Sequence, residues 1–324
     1  MKKIQNTAVS LSAKQKANLM KCCKSFFRFI FMLSFAYVLL YPIIYMFSTA
    51  VKNAQDFIDP TVQWISKQFD FSSFPNAIKA MNYGESLKNT LLFEMLSCLI
   101  EVATCSAFAY GLSRFDIPFK KLLIFVLVIT IMVPDVMLLM PRVMHFKRLD
   151  ILGIFGLLNK LTGIDLRPNL IDTAFAFYLP SLFGVGLKGG LIIFIYMQFY
   201  KGLPKELEEA ASVDGAGPLK TFIRIIIPSS SVVILTVFIF SMVWHWNDYY
   251  LGLMYTSENR TLAYVVQNLN QYVFVTFGEI SHSDPRVYTI PMAGCLLFIA
   301  PPTLVYLVLQ KQFIQSVDRV GIVG

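Results

Sequence analysis

The chain has 324 residues, of which 56% are hydrophobic and only 15% are charged, and its mean hydropathy is +0.60. Soluble domains carry about a quarter charged residues, so this composition excludes an ordinary soluble globular protein and indicates apolar surface that faces lipid. The net charge of +8 is not accompanied by a basic stripe with interleaved aromatic side chains, which argues against nucleic-acid binding.

A transmembrane helix needs about 20 largely apolar residues, and six segments of the chain meet this length. They are residues 26–50, 89–112, 120–141, 179–200, 229–252 and 288–310. Backbone N–H and C=O groups in hydrocarbon must bond within their own segment, so each segment is expected to be helical. The sequence therefore predicts an all-α polytopic membrane protein with six transmembrane helices. The first segment is too long for the core of a cleaved signal peptide.

Basic residues concentrate at the N-terminus, where seven of the 28 Lys and Arg residues precede residue 29. The positive-inside rule places this end in the cytoplasm, and an even number of spans returns the C-terminus to the same side. The predicted organisation comprises a cytoplasmic N-terminal tail (1–25), a first transmembrane helix with its outer loop (26–83), a transmembrane core (84–310) with a cytoplasmic loop (202–228), and a cytoplasmic C-terminal tail (311–324).

The cytoplasmic loop carries a clear pattern of helix starts and stops. Pro204 suits a first helical turn, and the acidic residues Glu206, Glu208 and Glu209 complement the positive end of a helix. The sequence Asp214-Gly215 is expected to end this helix. A second short helix is predicted to run from Pro218 to Pro228, with its apolar side chains turned towards the membrane. The loop therefore predicts a helix–turn–helix.

The first helix of the loop presents two small residues, Ala210 and Ala211, beside acidic ones. Small side chains let a foreign surface approach closely, and acids pair with basic residues on it. These residues alone favour a docking element and an ordinary amphipathic surface helix equally.

Polar residues inside the apolar segments are candidates for a translocation pathway, since ionisable groups in the membrane are costly. Glu94 and Glu101 are seven residues apart and share one helix face; they either contact substrate or pair with another helix. Lys188 stands among four glycines and either lines a pore or pairs with another residue. Asn247 and Asp248 either bind a sugar or sit at the membrane interface beside tryptophans.

The loop resembles a known family. Its run Glu209-Ala210-Ala211, the following Gly215, and Ile226-Ile227-Pro228 are similar to the EAA signature of binding-protein-dependent ABC importer permeases. Other motifs resemble the carbohydrate (maltose-type) branch of that family. They are Ser86, Asn89 and Thr90, Ala109-Tyr110 with Arg114, Met132-Val133-Pro134, Trp246-Asn247-Asp248 and the tail from Gln310 to Gly324. The tail departs from the family pattern at Ser316, Val320 and Val323.

The resemblance implies a type I importer permease in the plasma (inner) membrane of a bacterium. Such a permease pairs with a non-identical sister permease and two ATPase subunits. An extracellular solute-binding protein delivers a carbohydrate substrate to it. The residues that the resemblance implies for ATPase coupling are Glu208, Glu209, Ala210, Ala211, Asp214, Gly215 and Pro228. The chain itself is expected to bind no cofactor, because ATP and Mg²⁺ belong to the partner ATPase.

Two other classes of function compete with this interpretation. The stretch Gly215–Thr221 lacks the glycine that a phosphate-binding loop needs directly before its lysine, so we expect no ATP binding here. The chain has three histidines, and neither they nor any serine motif predict a catalytic or metal site. An ion-coupled secondary transporter would require internal repeats, and the sequence has no obvious ones. A permease for a non-sugar solute remains the alternative.

Overall fold

The structure is a computed structural model that describes residues 13–321 apart from Leu152 and Glu279, with side chains from Met20 to Phe313. Most of it is helical. Among these residues, the only β-type pairing is an isolated antiparallel bridge between Lys52 and Phe69. The predicted all-α class is confirmed at this level. Residues 1–12 of the N-terminal tail and 322–324 of the C-terminal tail lie outside the described residues.

The helices are labelled in chain order. They are α1 (Ala13–Ala50), α2 (Ala54–Ile58), α3 (Ser73–Ala80), α4 (Tyr83–Arg114), α5 (Lys120–Met132), α6 (Asp135–Lys147), α7 (Ile154–Thr162), α8 (Phe175–Leu182), α9 (Gly189–Gly202), α10 (Glu206–Val213), α11 (Pro218–Ser229), α12 (Ser231–Trp246), α13 (Tyr250–Tyr255), α14 (Leu262–Gln267), α15 (Leu269–Phe277) and α16 (Arg286–Gly321). Helix α4 contains a π-helical segment at Thr90–Met95, and α11 contains one at Phe222–Ile226.

In the described part of the chain, three helices are long and apolar enough to cross a membrane alone. They lie within α1, α4 and α16, and correspond to the first, second and sixth predicted segments. Two bent pairs, α5 with α6 and α11 with α12, would raise the number to five if each pair formed one span. Three of the six segments that were predicted as continuous helices are interrupted, namely the third, the fourth and the fifth.

The third predicted segment, residues 120–141, is not one straight helix. Helices α5 and α6 meet at an angle of 103°. Val133 takes up an extended conformation directly before Pro134, whose ring disfavours a helical conformation in the preceding residue. The prediction missed this break because the segment is apolar throughout.

The fourth predicted segment, residues 179–200, is broken in its first half. Helix α8 ends at Leu182, and α9 begins only at Gly189. Gly184 and Lys188 between them both have positive φ, of 68° and 63°. Lys188 is thus placed in a non-helical link and not within a transmembrane helix as predicted. The fifth segment likewise ends early, because α12 stops at Trp246.

Three groups of buried apolar side chains hold the helices together. The first joins α4, α9, α11 and α12 around Tyr196 and Tyr200. The second joins the end of α1 with α3, α14, α15 and α16, and the third joins α6, α8 and α13. Helix α4 contributes to the first group along much of its length and packs against both α9 and α12. It is the central helix of the fold.

The segment between α1 and α3 has its own polar core. The Asp56 carboxylate accepts hydrogen bonds from the Ser66 hydroxyl and from the backbone N–H groups of Lys67 and Gln68. The Ser66 hydroxyl is the main cause that holds the pKa of Asp56 below its ordinary value. This segment is therefore a folded unit and not a loose connection.

The last helix is longer than the predicted sixth segment. Helix α16 continues without interruption to Gly321, although Pro291, Pro301 and Pro302 lie inside it. The helix therefore does not end at residue 310, where the sixth segment was predicted to end. The side chains beyond Phe313, including those at which the tail departs from the family pattern, lie outside the described side chains.

We expect Gly189→Ala to destabilise the fold and Gly202→Ala, at the other end of α9, to leave it intact. A Cβ at Gly189 would overlap the backbone carbonyl oxygen of Gly184 and lie 2.9 Å from a Glu101 carboxylate oxygen, whereas Gly202 has nothing within 4 Å. Overpacking of this kind costs about 1–3 kcal/mol. The measurement is the thermal unfolding midpoint of both purified variants. Equal midpoints would contradict the tight approach of α4 to the start of α9.

Candidate functional site

The loop between α9 and α12 has the predicted helix–turn–helix form. Helix α10 ends at Val213, and Gly215 follows with φ of +73°, a conformation that favours glycine. The backbone N–H of Ala216 donates to the carbonyl of Ala211 at 2.9 Å, which closes the end of the helix. Helix α11 then begins at Pro218. The predicted arrangement of starts and stops is confirmed, with α10 starting at Glu206, two residues after Pro204.

The outward face of this loop differs from the predicted one. Ala211 is buried, so the expectation of two exposed alanines was wrong for it, while Ala210 is exposed. The most exposed apolar side chains are Val213 at 88% and Leu219 at 71%. Of the four apolar side chains of α11 that were expected to face the membrane, Phe222 and Ile226 are buried in the helical body, whereas Leu219 and Ile223 are exposed. The exposed surface therefore comprises Glu209, Ala210, Val213, Asp214 and Leu219, and we call it the coupling surface.

Arg114 at the end of α4 holds the loop in place. Its Nη2 donates to the carbonyl oxygen of Leu203 at 2.6 Å, and its Nε lies 3.4 Å from the carboxylate of Glu208. The Arg114 side chain is only 5% exposed. Glu208 is thus turned inward to α4, whereas Glu209 on the same helix is exposed. The sequence offered no local signal for this pair, because the two residues are 94 positions apart.

A cleft of about 580 Å³ collects three of the five predicted pathway residues. Its lining consists of Leu187, Lys188, Val243, Trp244, Asn247, Asp248, Tyr249, Tyr250 and Gln267. Lys188 forms an ion pair with Asp135 of α6 at 2.6 Å, so the predicted pairing of this lysine is confirmed. Asn247 is exposed to the cleft, and one Asp248 oxygen accepts a hydrogen bond from the Leu251 N–H in the first turn of α13 at 3.0 Å.

The tryptophans near the cleft do not act as a pair of interface anchors. Trp246 is 3% exposed, and its indole N–H donates to the backbone carbonyl of Phe298 in α16 at 3.1 Å. Trp244 is partly exposed and lines the cleft. The interfacial interpretation of this region was therefore wrong for Trp246.

Glu94 and Glu101 lie behind the cleft and are fully buried, at 1% and 0% exposure. Both contact one side chain that the sequence analysis had not selected, His245 of α12. Its Nδ1 lies 3.0 Å from Glu94 and its Nε2 lies 2.9 Å from Glu101. The predicted shared face is confirmed, and so is pairing with another helix. A histidine in an apolar segment, together with two acids in another, was the signal available in the sequence.

The described side chains include no group of three or more His, Cys, Asp or Glu residues arranged to hold a metal ion. The cysteines among them are all free, as Cys22, Cys23, Cys98, Cys105 and Cys295. The site consequently offers hydrogen-bonding groups, aromatic faces and buried charges. Groups of this kind can serve in binding and in conformational change.

The fold and the site together define a membrane-embedded transport subunit, with a cleft among its helices and a protruding helix–turn–helix. The family model for the binding-protein-dependent transport system inner membrane component matches residues 103–319. This is more than half of the chain, and the chain therefore belongs to that family. The resemblance found in the EAA-like loop is confirmed.

Individual relatives cover most of the chain. The melibiose/raffinose/stachyose import permease protein MelC of Bacillus subtilis (strain 168) is 26% identical over 285 residues, which are 87% of this chain and 91% of the relative. The osmoprotective compounds uptake permease protein GgtD of Synechocystis sp. is 26% identical over 291 residues, 88% of each chain.

A solved structure has the same fold. It is the crystal structure of a bacterial ABC transporter involved in the import of the acidic polysaccharide alginate. The TM-score is 0.67 at 19% sequence identity, over 94% of this chain and 99% of that chain.

Replacement of Arg114 by Met should loosen the loop without unfolding the protein. The variant keeps much of the apolar stem but loses the hydrogen bond to Leu203 and the contact with Glu208. Hydrogen–deuterium exchange of residues 203–216 should become faster by about tenfold, as expected for a loss of about 1.4 kcal/mol. Lys201→Met, an exposed basic residue on α9, is the control. Unchanged exchange in the Arg114 variant would contradict the anchoring role.

Proposed function

We propose that this chain is the membrane-spanning permease subunit of an ATP-driven importer that takes up a sugar or oligosaccharide delivered by an external solute-binding protein. The observation that carries this proposal is the coupling surface on α10 and α11. It protrudes from the helical body, and Arg114 fixes it directly to the end of α4. A force applied to this loop is transmitted to the helix that contacts the rest of the core.

The coupling surface suits a separate ATPase subunit. Val213 and Leu219 are large apolar side chains that remain exposed within this chain, and exposed apolar patches mark interaction sites. The carboxylate of Glu209 beside them can pair with a basic residue of the partner. Ala210 on this surface has a small side chain and the neighbouring Gly215 has none, so that a partner can approach the backbone. ATP and Mg²⁺ would be bound by that partner, and the chain would not be an enzyme.

The other proposed partners follow from the same architecture. A sister permease in a heterodimer would cover the open side of the cleft, so that the pathway runs between two permeases. Two ATPase subunits would each receive one coupling surface. Closure of the ATPases would then rock the helices of each permease as rigid units between inward-open and outward-open states. The folded outer loop, with its polar core at Asp56, would face the external binding protein.

The cleft has the composition of a carbohydrate pathway. Trp244, Tyr249 and Tyr250 offer aromatic faces to the apolar side of a sugar ring, and Asn247 and Gln267 offer amide groups to its hydroxyls. Lys188 and Asp248 add charges. The relative MelC, which is named for the import of three oligosaccharides, and the alginate transporter support this substrate class.

A non-sugar solute is the second candidate, and the relative named for osmoprotective compounds favours it. An ion-coupled secondary transporter is disfavoured, since the chain belongs to the binding-protein-dependent family and the two midspan carboxylates are closed off from the cleft by burial. A screen of sugars and small polyols against the external binding protein would separate the first two.

The proposed topology has six spans, with both termini in the cytoplasm of a bacterium and the chain in its inner membrane. Helices α1, α4 and α16 would cross the membrane alone, and the α5–α6 pair would form one broken span. Helix α12 would form another span, which the end of α11 enters from the cytoplasmic loop. Helices α8 and α9 would together form the sixth. Breaks of this kind are tolerated where they are buried in protein or line a cavity, and Lys188 at one of them lines the cleft.

Replacement of Val213 by Asp should weaken association with the ATPase. A charge would replace an apolar side chain whose burial at an interface contributes about 1.5–3 kcal/mol, which corresponds to about ten- to a hundredfold in affinity. The measurement is the amount of ATPase that copurifies with the tagged permease complex. The matched control is Val275→Asp, because Val275 is equally apolar, is 75% exposed and lies on α15. Equal copurification of both variants would refute the coupling surface.

Removal of one aromatic face from the cleft should slow substrate uptake and leave assembly intact. For Tyr250→Ala we expect a decrease in uptake of about three- to tenfold, from the loss of about 0.5–1.5 kcal/mol of aromatic contact. Uptake is measured in proteoliposomes that contain the complete transporter and saturating binding protein. Tyr37→Ala, at a similarly exposed tyrosine on α1, is the control. A Tyr250 variant with normal uptake would place the pathway elsewhere.

A further inference from the structure

One imidazole ring joins two helices in the centre of the fold. Both nitrogens of His245 face carboxylate oxygens, Nδ1 that of Glu94 at 3.0 Å and Nε2 that of Glu101 at 2.9 Å. The exposed fractions of the three side chains are 2%, 1% and 0%. Residues seven apart on a helix rise about 10 Å along its axis, and the ring spans the gap between the two carboxyl groups. We call these three residues the triad.

The geometry of the triad fixes its minimum number of protons. Each nitrogen–oxygen contact is a hydrogen bond only if one proton lies between its two atoms, and a neutral imidazole carries only one N–H. Two contacts therefore require two protons among the three groups. They can be placed as an imidazolium between two carboxylates, or as a neutral ring with one protonated carboxyl. In either arrangement the triad carries one more proton than a neutral ring between two ionised acids.

The charged side chains around the triad do not supply a positive charge that would make the additional proton unnecessary. Asp248, next to α12, is 8% exposed and leaves one carboxylate oxygen without a hydrogen bond. On α6, Asp135 is already paired with Lys188, and the half-buried Arg142, which lines a small cavity together with His245, donates to the Val185 carbonyl at 3.5 Å and forms no ion pair with the triad. The second oxygens of Glu94 and Glu101 also lack partners. Acidic groups thus outnumber basic ones in a buried place, where an unpaired charge is strongly unfavourable.

The triad also reaches a third structural element. A Cβ at Gly186 would lie 2.5 Å from a Glu101 oxygen, and one at Gly189 would lie 2.9 Å from it. Glu101 therefore packs against the link that precedes α9, whose neighbouring residues Lys188 and Leu187 line the cleft. A change in the triad would act on α4, on α12 and on one wall of the cleft together.

We propose that Glu94, His245 and Glu101 form a proton-binding site that holds α4, α12 and the start of α9 in the packed arrangement seen here. Loss of the proton to solvent removes one hydrogen bond and leaves an additional negative charge in the core, so the three elements separate more readily. The proton site rests on the contacts described above. Its effect on transport rests on the proposed function, since the same elements line the cleft.

The test compares the wild-type chain with the Glu94→Gln/Glu101→Gln double variant. Two glutamines and a neutral histidine can form both hydrogen bonds, because one carboxamide accepts from the ring N–H and the other donates to the bare nitrogen. The double variant keeps the shape of the triad and needs no extra proton. The thermal unfolding midpoint of the full purified chain is measured in detergent between about pH 6 and about pH 9.

The folded wild-type chain holds a proton that an exposed histidine releases near about pH 6.5, so its stability should fall as pH rises. We expect the wild-type midpoint to decrease by about 2–4 °C more than that of the double variant over this range. Parallel pH dependences in the two proteins would overturn the proposal.

An independent measurement uses the wild-type chain alone. Infrared spectra of the reconstituted protein are recorded at about pH 7.5, above the usual pKa of an exposed histidine, and a band of an imidazolium or of a protonated carboxyl group in the buried core is expected. Complete absence of both bands would overturn the proposal even if the double variant does not accumulate.

A final comparison concerns substrate-stimulated ATP hydrolysis by the assembled transporter. A pH profile that changes between wild type and the double variant links the site to transport. Identical profiles, with the stability difference present, would leave the proton site standing and refute its role in the cycle. Failure of the permease to bind any ATPase would instead refute the proposed function.

Discussion

Polar side chains along α4 connect this helix to each part of the protein on which transport would depend. At one end, the hydroxyl of Thr90 accepts a hydrogen bond at 2.8 Å from the backbone N–H of Leu262, at the start of α14. In the middle, Glu101 contacts α12 and the link before α9. At the other end, Arg114 binds the coupling loop. Because Thr90 and Glu101 are buried and have no water as an alternative partner, their contacts are maintained as long as the helices stay packed.

This distribution of contacts along α4 explains how a displacement of the small coupling surface could move the helices of the whole subunit. The coupling surface itself is exposed, and the loop that carries it contacts the helical body through the buried Ala211 and through the contacts of Glu208 and Leu203 with Arg114. Its displacement would be transmitted by Arg114 to α4, and α4 is packed too tightly to bend without moving its neighbours. The residues proposed to act in transport are therefore spread over the whole length of one helix, and Glu101 in its middle packs against the link that lines the cleft.

Local features could be predicted from the sequence and long-range ones could not. The helix–turn–helix was predictable because Pro218, Gly215 and the acidic first turn act within a few residues. The break at Pro134 was missed although its cause is also local, since hydropathy averages over about 20 residues and hides a single proline. The inward orientation of Glu208 and Ala211 and the contact of His245 with two acids depend on tertiary packing. Hydropathy and spacing contain no information about it.

The shortness of α9 has a consequence for how the chain is made. Its 14 residues from Gly189 to Gly202 are fewer than a membrane helix needs to leave the translocation channel alone. The preceding link contains a lysine and several glycines, which disfavour entry into lipid further. This segment therefore requires helices that are already in place, and α4 offers the largest surface for it. Synthesis in the order of the sequence provides that helix first, so biogenesis of the second half of the protein depends on correct insertion of the first.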